Sequence, residues 1–239
     1  MANMEQHESP TCIDIVESRL HSNPGNSFLT TAEEDRPWSL ARTWTSALGG
    51  LQSTGLRDIL WDEALMRTYD RHSGSVPDSD GLMLASDPDM RLTTVEERRT
   101  ALETHANHGK WEPTPYISFT SSSQIVETIA NTREEKDRGS QYLVVVDPRV
   151  RFELKMPVLR YADEMLAYHI DPPYIEGYWT AHYLYLWEVL PAEVVGMWSW
   201  EELRGNKQWF QDIITAALES FRARREQVGR TRSPEAESQ

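Results

Sequence analysis

Cysteine is nearly absent from this chain of 239 residues, which contains only Cys12. A single thiol cannot form an intramolecular disulfide, and it excludes zinc sites that need several cysteines. The two usual phosphate-binding loops, G-x-G-x-x-G after a strand and G-x-x-x-x-G-K-[ST], are also missing. The sequence therefore excludes a disulfide scaffold, a cysteine-based zinc module and the common nucleotide-binding loops.

Basic charge and long apolar runs are scarce as well. The chain has 24 Lys and Arg against 38 Asp and Glu, a formal net charge of −14. Nucleic-acid surfaces rely on clustered cations, so we expect no nucleic-acid partner. No apolar run reaches the roughly 18 residues of a membrane span, and the N-terminus lacks the features of a signal peptide. We expect a cytoplasmic protein that binds no membrane.

The chain divides into three parts by composition. Residues 1–35 are polar without a sustained period, which predicts a disordered segment. Residues 229–239 contain no large apolar side chain, which predicts a disordered tail. Between them, residues 36–228 alternate helix and strand signals, and this length suits a single domain. Short, unequal strands, two of them joined at Pro191, favour an α+β fold over a parallel sheet.

Hydrophobic periodicity predicts the individual elements. Helices are expected at 39–51, 93–105, 122–133, 161–168 and 206–225. Strands are expected within 59–69 and at 116–120, 141–146, 183–189 and 194–198. The segment 73–88, rich in Ser, Gly, Asp and Pro, is predicted to be an exposed loop. The last helix should pack through an apolar stripe of Trp209, Ile213, Leu218 and Phe221.

Three strand-like segments contain residues that are unusual for a strand. Arg67 lies inside Leu65–Tyr69, Pro115–Ser122 ends in hydroxyl side chains, and Glu188 lies within the apolar run 183–189. Each has a structural interpretation: an edge-strand arginine, hydroxyls that cap the next helix, and a solvent-facing glutamate. Glu188 fits its structural interpretation least well, because a carboxylate among large apolar side chains is costly without a partner.

Taken in order, these segments resemble the ADP-ribosyltransferase superfamily in its arginine–serine–glutamate branch. They are closest to a group of fungal ADP-ribosyltransferase-like domains, which have a strand arginine, then Pro-aromatic-Ile-Ser-x-Thr-Ser-Ser, then a strand glutamate before a proline. Here these are Arg67, Pro115–Ser122 and Glu188–Pro191, and the resemblance covers residues 58–198. It implies an α+β fold with a split β-sheet and flanking helices, and NAD as a substrate without a metal.

The resemblance also implies a role for each matching residue. Arg67 would bind the NAD diphosphate, because a guanidinium meets two phosphate oxygens at once. Ser118 would hold the nicotinamide-side ribose and steady the glutamate, with Thr120 in support. Glu188 would stabilise the oxocarbenium-like ribose as nicotinamide leaves. Tyr116 could stack on an aromatic ring of the ligand or pack in the core.

Two departures from the family keep alternatives open. Phe119 replaces a small hydroxylated residue, and Leu186 stands two residues before Glu188, where arginine-modifying members carry Glu or Gln. Leucine cannot orient a guanidinium acceptor, so hydrolysis of NAD or transfer to another acceptor, such as a group on a protein, is favoured. A catalytically inactive protein-interaction module and a purely structural domain are the alternatives.

The histidines offer weaker candidates. His105 and His108 could share one helical face, but a metal site there is improbable, and a solvated His105 is the simpler interpretation. His169 and His182 lie near predicted strands and could line a cleft, although a structural histidine is the default.

Overall fold

A computed structural model describes residues 60, 62–90, 92, 94–107, 112–154, 156–171 and 178–231. The strands are β1 (Leu65–Tyr69), β2 (Met83–Leu84), β3 (Tyr116–Thr120), β4 (Tyr142–Val146), β5 (Val158–Arg160), β6 (His182–Leu186), β7 (Glu188–Val189) and β8 (Val194–Ser199). The helices are α1 (Val95–Ala106), α2 (Ser123–Glu135), α3 (Pro148–Glu153), α4 (Tyr161–Ala167), α5 (Trp200–Arg204) and α6 (Ala216–Thr231). Two 3₁₀ turns (Tyr178–Ala181 and Pro191–Glu193) and a π-helical turn (Phe210–Thr215) complete the description.

Local caps explain where the helices begin. Thr94 and Glu97 form a capping box at the start of α1. The Ser122 side chain accepts the amide of Ile125 at 3.3 Å at the start of α2. These two starts agree with the helices predicted near 93 and 122.

The strands form an antiparallel six-stranded sheet in the order β5-β6-β3-β1-β4-β8 and a two-stranded sheet of β2 and β7. Together with the helices this makes the chain an α+β protein. β4 pairs with β1 along its full length, from Leu65 opposite Val146 to Tyr69 opposite Tyr142. β1 and β3, in contrast, share one registered pair, Met66 opposite Thr120. The large sheet therefore has two well-paired halves that meet at one short junction.

The core covers both faces of the large sheet. On one face, α1 and α4 pack on β3 and β6, and α2, α5 and α6 pack on β1 and β4. The opposite face packs against β2, β7 and α3 through Ile117, Phe119, Val144, Tyr185, Met83, Val189 and Phe152. This second layer places the β2–β7 sheet next to the middle of the large one.

Several elements differ from the sequence-based expectation. The predicted strand 183–189 is two strands, because Trp187 adopts a left-handed backbone with φ 64° that ends β6 before β7 begins. The predicted loop 73–88 contains β2, and β5, α3 and α5 were not predicted. The last helix was predicted from 206, but its first turn is π-helical from Phe210 and it continues to Thr231.

Some predictions lie outside the described residues. These are the polar segment 1–35, the helix 39–51 and the tail beyond 231. Among the residues that are described, none of the helices combines the length and the apolarity needed to cross a bilayer.

Candidate functional site

A cavity of about 540 Å³ lies where β1 and β3 meet only briefly, and we call it the β1–β3 cavity. Its size falls within the usual range for small-molecule sites, about 300–1,000 Å³. Four of the five predicted site residues line it, namely Arg67, Tyr116, Ser118 and Thr120. The separation of the two sheet halves thus creates a site from residues far apart in sequence.

Arg67 bridges the two halves of the sheet. Its Nη1 donates to the main-chain oxygen of Ser118 at 3.1 Å, across 51 residues of sequence. Its Nε is buried and has no hydrogen-bond partner among the described residues. Burial, and after it the charge of Arg133, lowers the Arg67 pKa to about 10, while Asp70 raises it. Arg67 therefore remains a cation at neutral pH in the wall of the cavity.

Ser118 is held by a histidine that the sequence analysis did not assign to the site. His105 of α1 lies with its Nε2 at 2.6 Å from Ser118 Oγ and its Nδ1 at 2.7 Å from Thr114 Oγ1. A neutral imidazole has one donor and one acceptor nitrogen, so it can serve both hydroxyls at once. The centres of the His105 and Tyr116 rings are 5.4 Å apart. The interpretation of His105 as a solvated side chain is wrong, because it is partly buried in the cavity wall.

Tyr116 and Thr120 complete the β3 side of the cavity. Tyr116 is 5% exposed and also belongs to the part of the core where α1 and α4 pack on β3 and β6, which we call the core below α1. Burial raises the Tyr116 pKa well above its usual value, so the phenol stays neutral. Thr120 Oγ1 accepts the amide of Ser122 at 3.2 Å, and its strand partner is His182, which also lines the cavity.

A cationic section of the wall lies next to Arg67. The cavity is lined by four cationic side chains and one carboxylate among the described residues: Arg67, Arg133, Lys136, Arg138 and Glu112. Arg133 donates to the main-chain oxygen of Thr68 at 2.9 Å, and Arg138 donates to buried Asp70 at 2.9 Å. In a chain of net charge −14, this concentration of cations favours an anionic ligand.

Glu188 is not among the residues that line the cavity. The turn at Trp187 moves it from the large sheet to the two-stranded sheet, where it is opposite Leu84. The carbonyl of Leu84 accepts the hydroxyl of Ser75, a wall residue, at 2.7 Å. The Glu188 residue is 4% exposed. The resemblance assigns Arg67, Ser118 and Glu188 to one NAD site. Arg67 and Ser118 meet in the cavity, whereas Glu188 is on β7 and is not a wall residue.

The surroundings of Glu188 differ from those of a continuous strand. A continuous strand through 183–189 would place Leu186 and Leu190 on the face of Glu188, with Trp187 on the opposite face. Instead, Leu186 and Trp187 both belong to the core below α1, and Leu190 packs with Met156. The left-handed backbone at Trp187 interrupts this strand alternation.

The remaining candidates add little chemistry. His169 is at a turn with φ 54° and is not a wall residue. The described residues contain no group of three His, Cys, Asp or Glu side chains arranged for a metal, and His108 lies outside the described residues. Comparison of the sequence with protein-family models and with curated proteins gives no match.

Proposed function

We propose that this chain is an NAD-dependent ADP-ribosyltransferase-like protein that binds NAD in the β1–β3 cavity and cleaves its nicotinamide–ribose bond. The observation that supports this best is the 3.1 Å hydrogen bond from Arg67 Nη1 to the main-chain oxygen of Ser118 in one cavity. This bond joins two sheet halves that share a single registered pair. The resemblance implies a split β-sheet, and the short junction between β1 and β3 supports that part of the proposal. We expect the reaction to take place in the cytoplasm.

Arg67 would bind the diphosphate. Its Nη1 bonds to the main chain of Ser118, and its planar guanidinium suits two phosphate oxygens in a bidentate arrangement. The other wall cations would add favourable potential around an anion. Lysine at position 67 would keep the charge but lose the planar fork.

Ser118 would bind the nicotinamide-side ribose. The bond with His105 fixes its hydroxyl, and His105 is itself fixed by Thr114. A preorganised hydroxyl loses little freedom when the ligand arrives. Thr120 would support the β3 end, and Tyr116 would offer a ring surface within the wall.

Glu188 would act on the ribose as the bond breaks. The bonding electrons leave with nicotinamide, and the positive charge that develops on the ribose carbon is stabilised by the carboxylate. Water or another nucleophile then bonds to that carbon and loses its proton. The Glu188 backbone is opposite Leu84, so this role requires its side chain to reach the cavity while the backbone stays in place.

The acceptor follows from what surrounds Glu188. Leu186, the residue where arginine-modifying relatives have an acidic or amide side chain, is fully buried in the core below α1. It cannot hold a guanidinium at the cavity. We therefore propose water or a non-arginine group on a macromolecule as the acceptor.

One observation favours a second candidate function, a catalytically inactive protein-interaction module. Glu188 is buried and is not in the wall of the cavity. A domain of this kind would retain the Arg67–Ser118 cavity without the carboxylate that cleavage needs. NAD binding without turnover would identify it.

The test is NAD binding by calorimetry together with nicotinamide release by purified protein. Arg67→Met should weaken NAD binding by about 10-fold or more, because a charge-assisted hydrogen bond contributes about 1.5–3 kcal/mol. Arg71→Met, a change at an exposed arginine four residues away, should bind NAD like the wild type. Absence of NAD binding by the wild type, or equal binding by both variants, would contradict the proposed function.

A further inference from the structure

A fully buried arginine grips the main chain around Glu188. Arg151 of α3 is 0% exposed, and its Nη2 donates to the carbonyl of Leu186 at 3.0 Å. Its Nη1 donates to the carbonyl of Glu188 at 2.9 Å and to both carboxylate oxygens of Glu193, at 3.1 and 3.2 Å. One guanidinium thus holds the carbonyls on both sides of the left-handed residue Trp187.

Other elements fix the same turn from different directions. The Trp187 amide donates to the carbonyl of Pro115 at 2.7 Å, and its carbonyl accepts the Ala85 amide at 2.7 Å. Its indole donates to the carbonyl of Met90 at 3.2 Å. The backbone strain of a non-glycine residue at positive φ persists only where the surroundings impose it. Here β2, β3 and α3 all impose it.

Glu193 links Arg151 to the turn after β7. Its carboxylate accepts the Leu190 amide at 2.8 Å and is 0% exposed. Burial raises the Glu193 pKa most strongly, Arg151 lowers it, and the charge of Glu188 raises it further. The Glu188 carboxylate therefore lies within electrostatic reach of the Arg151–Glu193 pair.

We infer that the Arg151–Glu193 pair is a positioning device for Glu188 in the NAD cleavage proposed above, on which this inference rests. The pair fixes the backbone immediately before and at Glu188. A carboxylate that stabilises charge in a transition state must be held closely, because a displacement of about 1 Å can cost about 100-fold in rate. Arg151 and Glu193 are not among the residues that line the cavity, so we expect them to act on the reaction through Glu188.

The test is a double-mutant cycle. Arg151→Met with Glu193→Gln removes both charges together, so neither is left buried without its partner. This pair variant should lower the turnover number for NAD by about 10-fold or more and leave NAD affinity within about twofold. In a Glu188→Gln background, the same two changes should cost no further turnover, because the group that they position is already gone.

Arg149→Met is the matched control, since Arg149 lies on the same short helix but pairs with exposed Asp62. It should turn over NAD like the wild type. A folded pair variant with wild-type turnover would overturn the inference, as would an equal loss in both backgrounds, which is the mark of a general structural effect. A wild-type protein that releases no nicotinamide would instead contradict the proposed function, and the inference would fall with it.

Arg151→Lys keeps the result decisive if the pair variant does not fold. Lysine retains the charge next to Glu193. It cannot bond at once to the carbonyls of Pro157, Leu186 and Glu188, as the planar fork of Arg151 does. We expect a folded protein with a lower turnover number and an unchanged NAD affinity. Wild-type turnover by Arg151→Lys would overturn the inference.

Discussion

Half-buried Arg67 and fully buried Arg151 use the same guanidinium group in opposite ways. Arg67 makes a hydrogen bond to a carbonyl and has a buried Nε without a partner among the described residues. Arg151 uses Nε, Nη1 and Nη2, and it also stacks on Tyr185 at 4.0 Å. Because burying an unsatisfied donor is costly, spare donors beside a cavity indicate a ligand, and saturated donors in a core indicate a structural role.

The largest expected change in stability is at Arg151, whose three guanidinium nitrogens all donate hydrogen bonds. Arg151→Met alone leaves the Glu193 carboxylate and three carbonyls buried without their donor, so we expect a loss of about 3–5 kcal/mol in the free energy of unfolding. Arg67→Met should cost about 1 kcal/mol, the usual net worth of one hydrogen bond. Urea denaturation of both variants measures the difference. Equal losses would show that the two arginines do not differ in role.

Sequence reasoning could find Arg67 and Ser118 because the signal is local. Each lies in a short strand-like segment, and the order of the segments supports the resemblance. It could not place Glu188, because the break at Trp187 leaves no trace in a continuous run of apolar residues. A left-handed backbone is usually marked by glycine, and here a tryptophan adopts it under tertiary constraint.

The second effect is a dependence of stability on pH, and it comes from Glu164, a buried carboxyl whose charge acts on the wall residue Tyr116. Glu164 is 2% exposed, and its Oε1 has no hydrogen-bond partner among the described residues. Burial, and then Asp163, raises the Glu164 pKa to about 8, while Arg98 lowers it. The folded pKa lies above the unfolded value, so the stabilising contribution is complete at low pH and is lost as the pH rises towards 8.

Glu164→Gln removes this dependence on pH. Relative to the variant, the wild type should lose about 4 kcal/mol of unfolding free energy between pH 5 and pH 9, since each of the three pH units up to 8 costs about 1.4 kcal/mol. Denaturation of both proteins at the two pH values measures the change, and groups common to both cancel. Parallel pH curves would show that Glu164 is ionised throughout.

The smallest expected effect is on NAD turnover, from a change at His105 in the wall of the β1–β3 cavity. His105→Phe keeps a ring near Tyr116 but removes the bonds to Ser118 and Thr114. If Ser118 must be held to bind the ribose, NAD turnover should fall about 10-fold, equivalent to about 1.4 kcal/mol in the barrier. His72→Phe, at an exposed histidine, is the control. Equal turnover by both variants would show that Ser118 needs no support.

The role of His105 shows where the sequence signal ends. Its hydrogen-bond partners are nine and thirteen residues away, across the connection between α1 and β3. No short motif or helical spacing links them, so the polar stretch around His105 suggested solvent exposure. The buried Glu193 was hidden for the same reason, since only its contact with Arg151, 42 residues away, explains its burial.

The most direct test of the central claim is nicotinamide release from NAD by the wild type and by Glu188→Gln, with Glu201→Gln as a surface control. Glutamine keeps the shape of the buried side chain and removes its charge. We expect release by the wild type and the control, and a rate about 100-fold lower for Glu188→Gln at unchanged NAD affinity. Equal rates for wild type and Glu188→Gln would contradict the central claim.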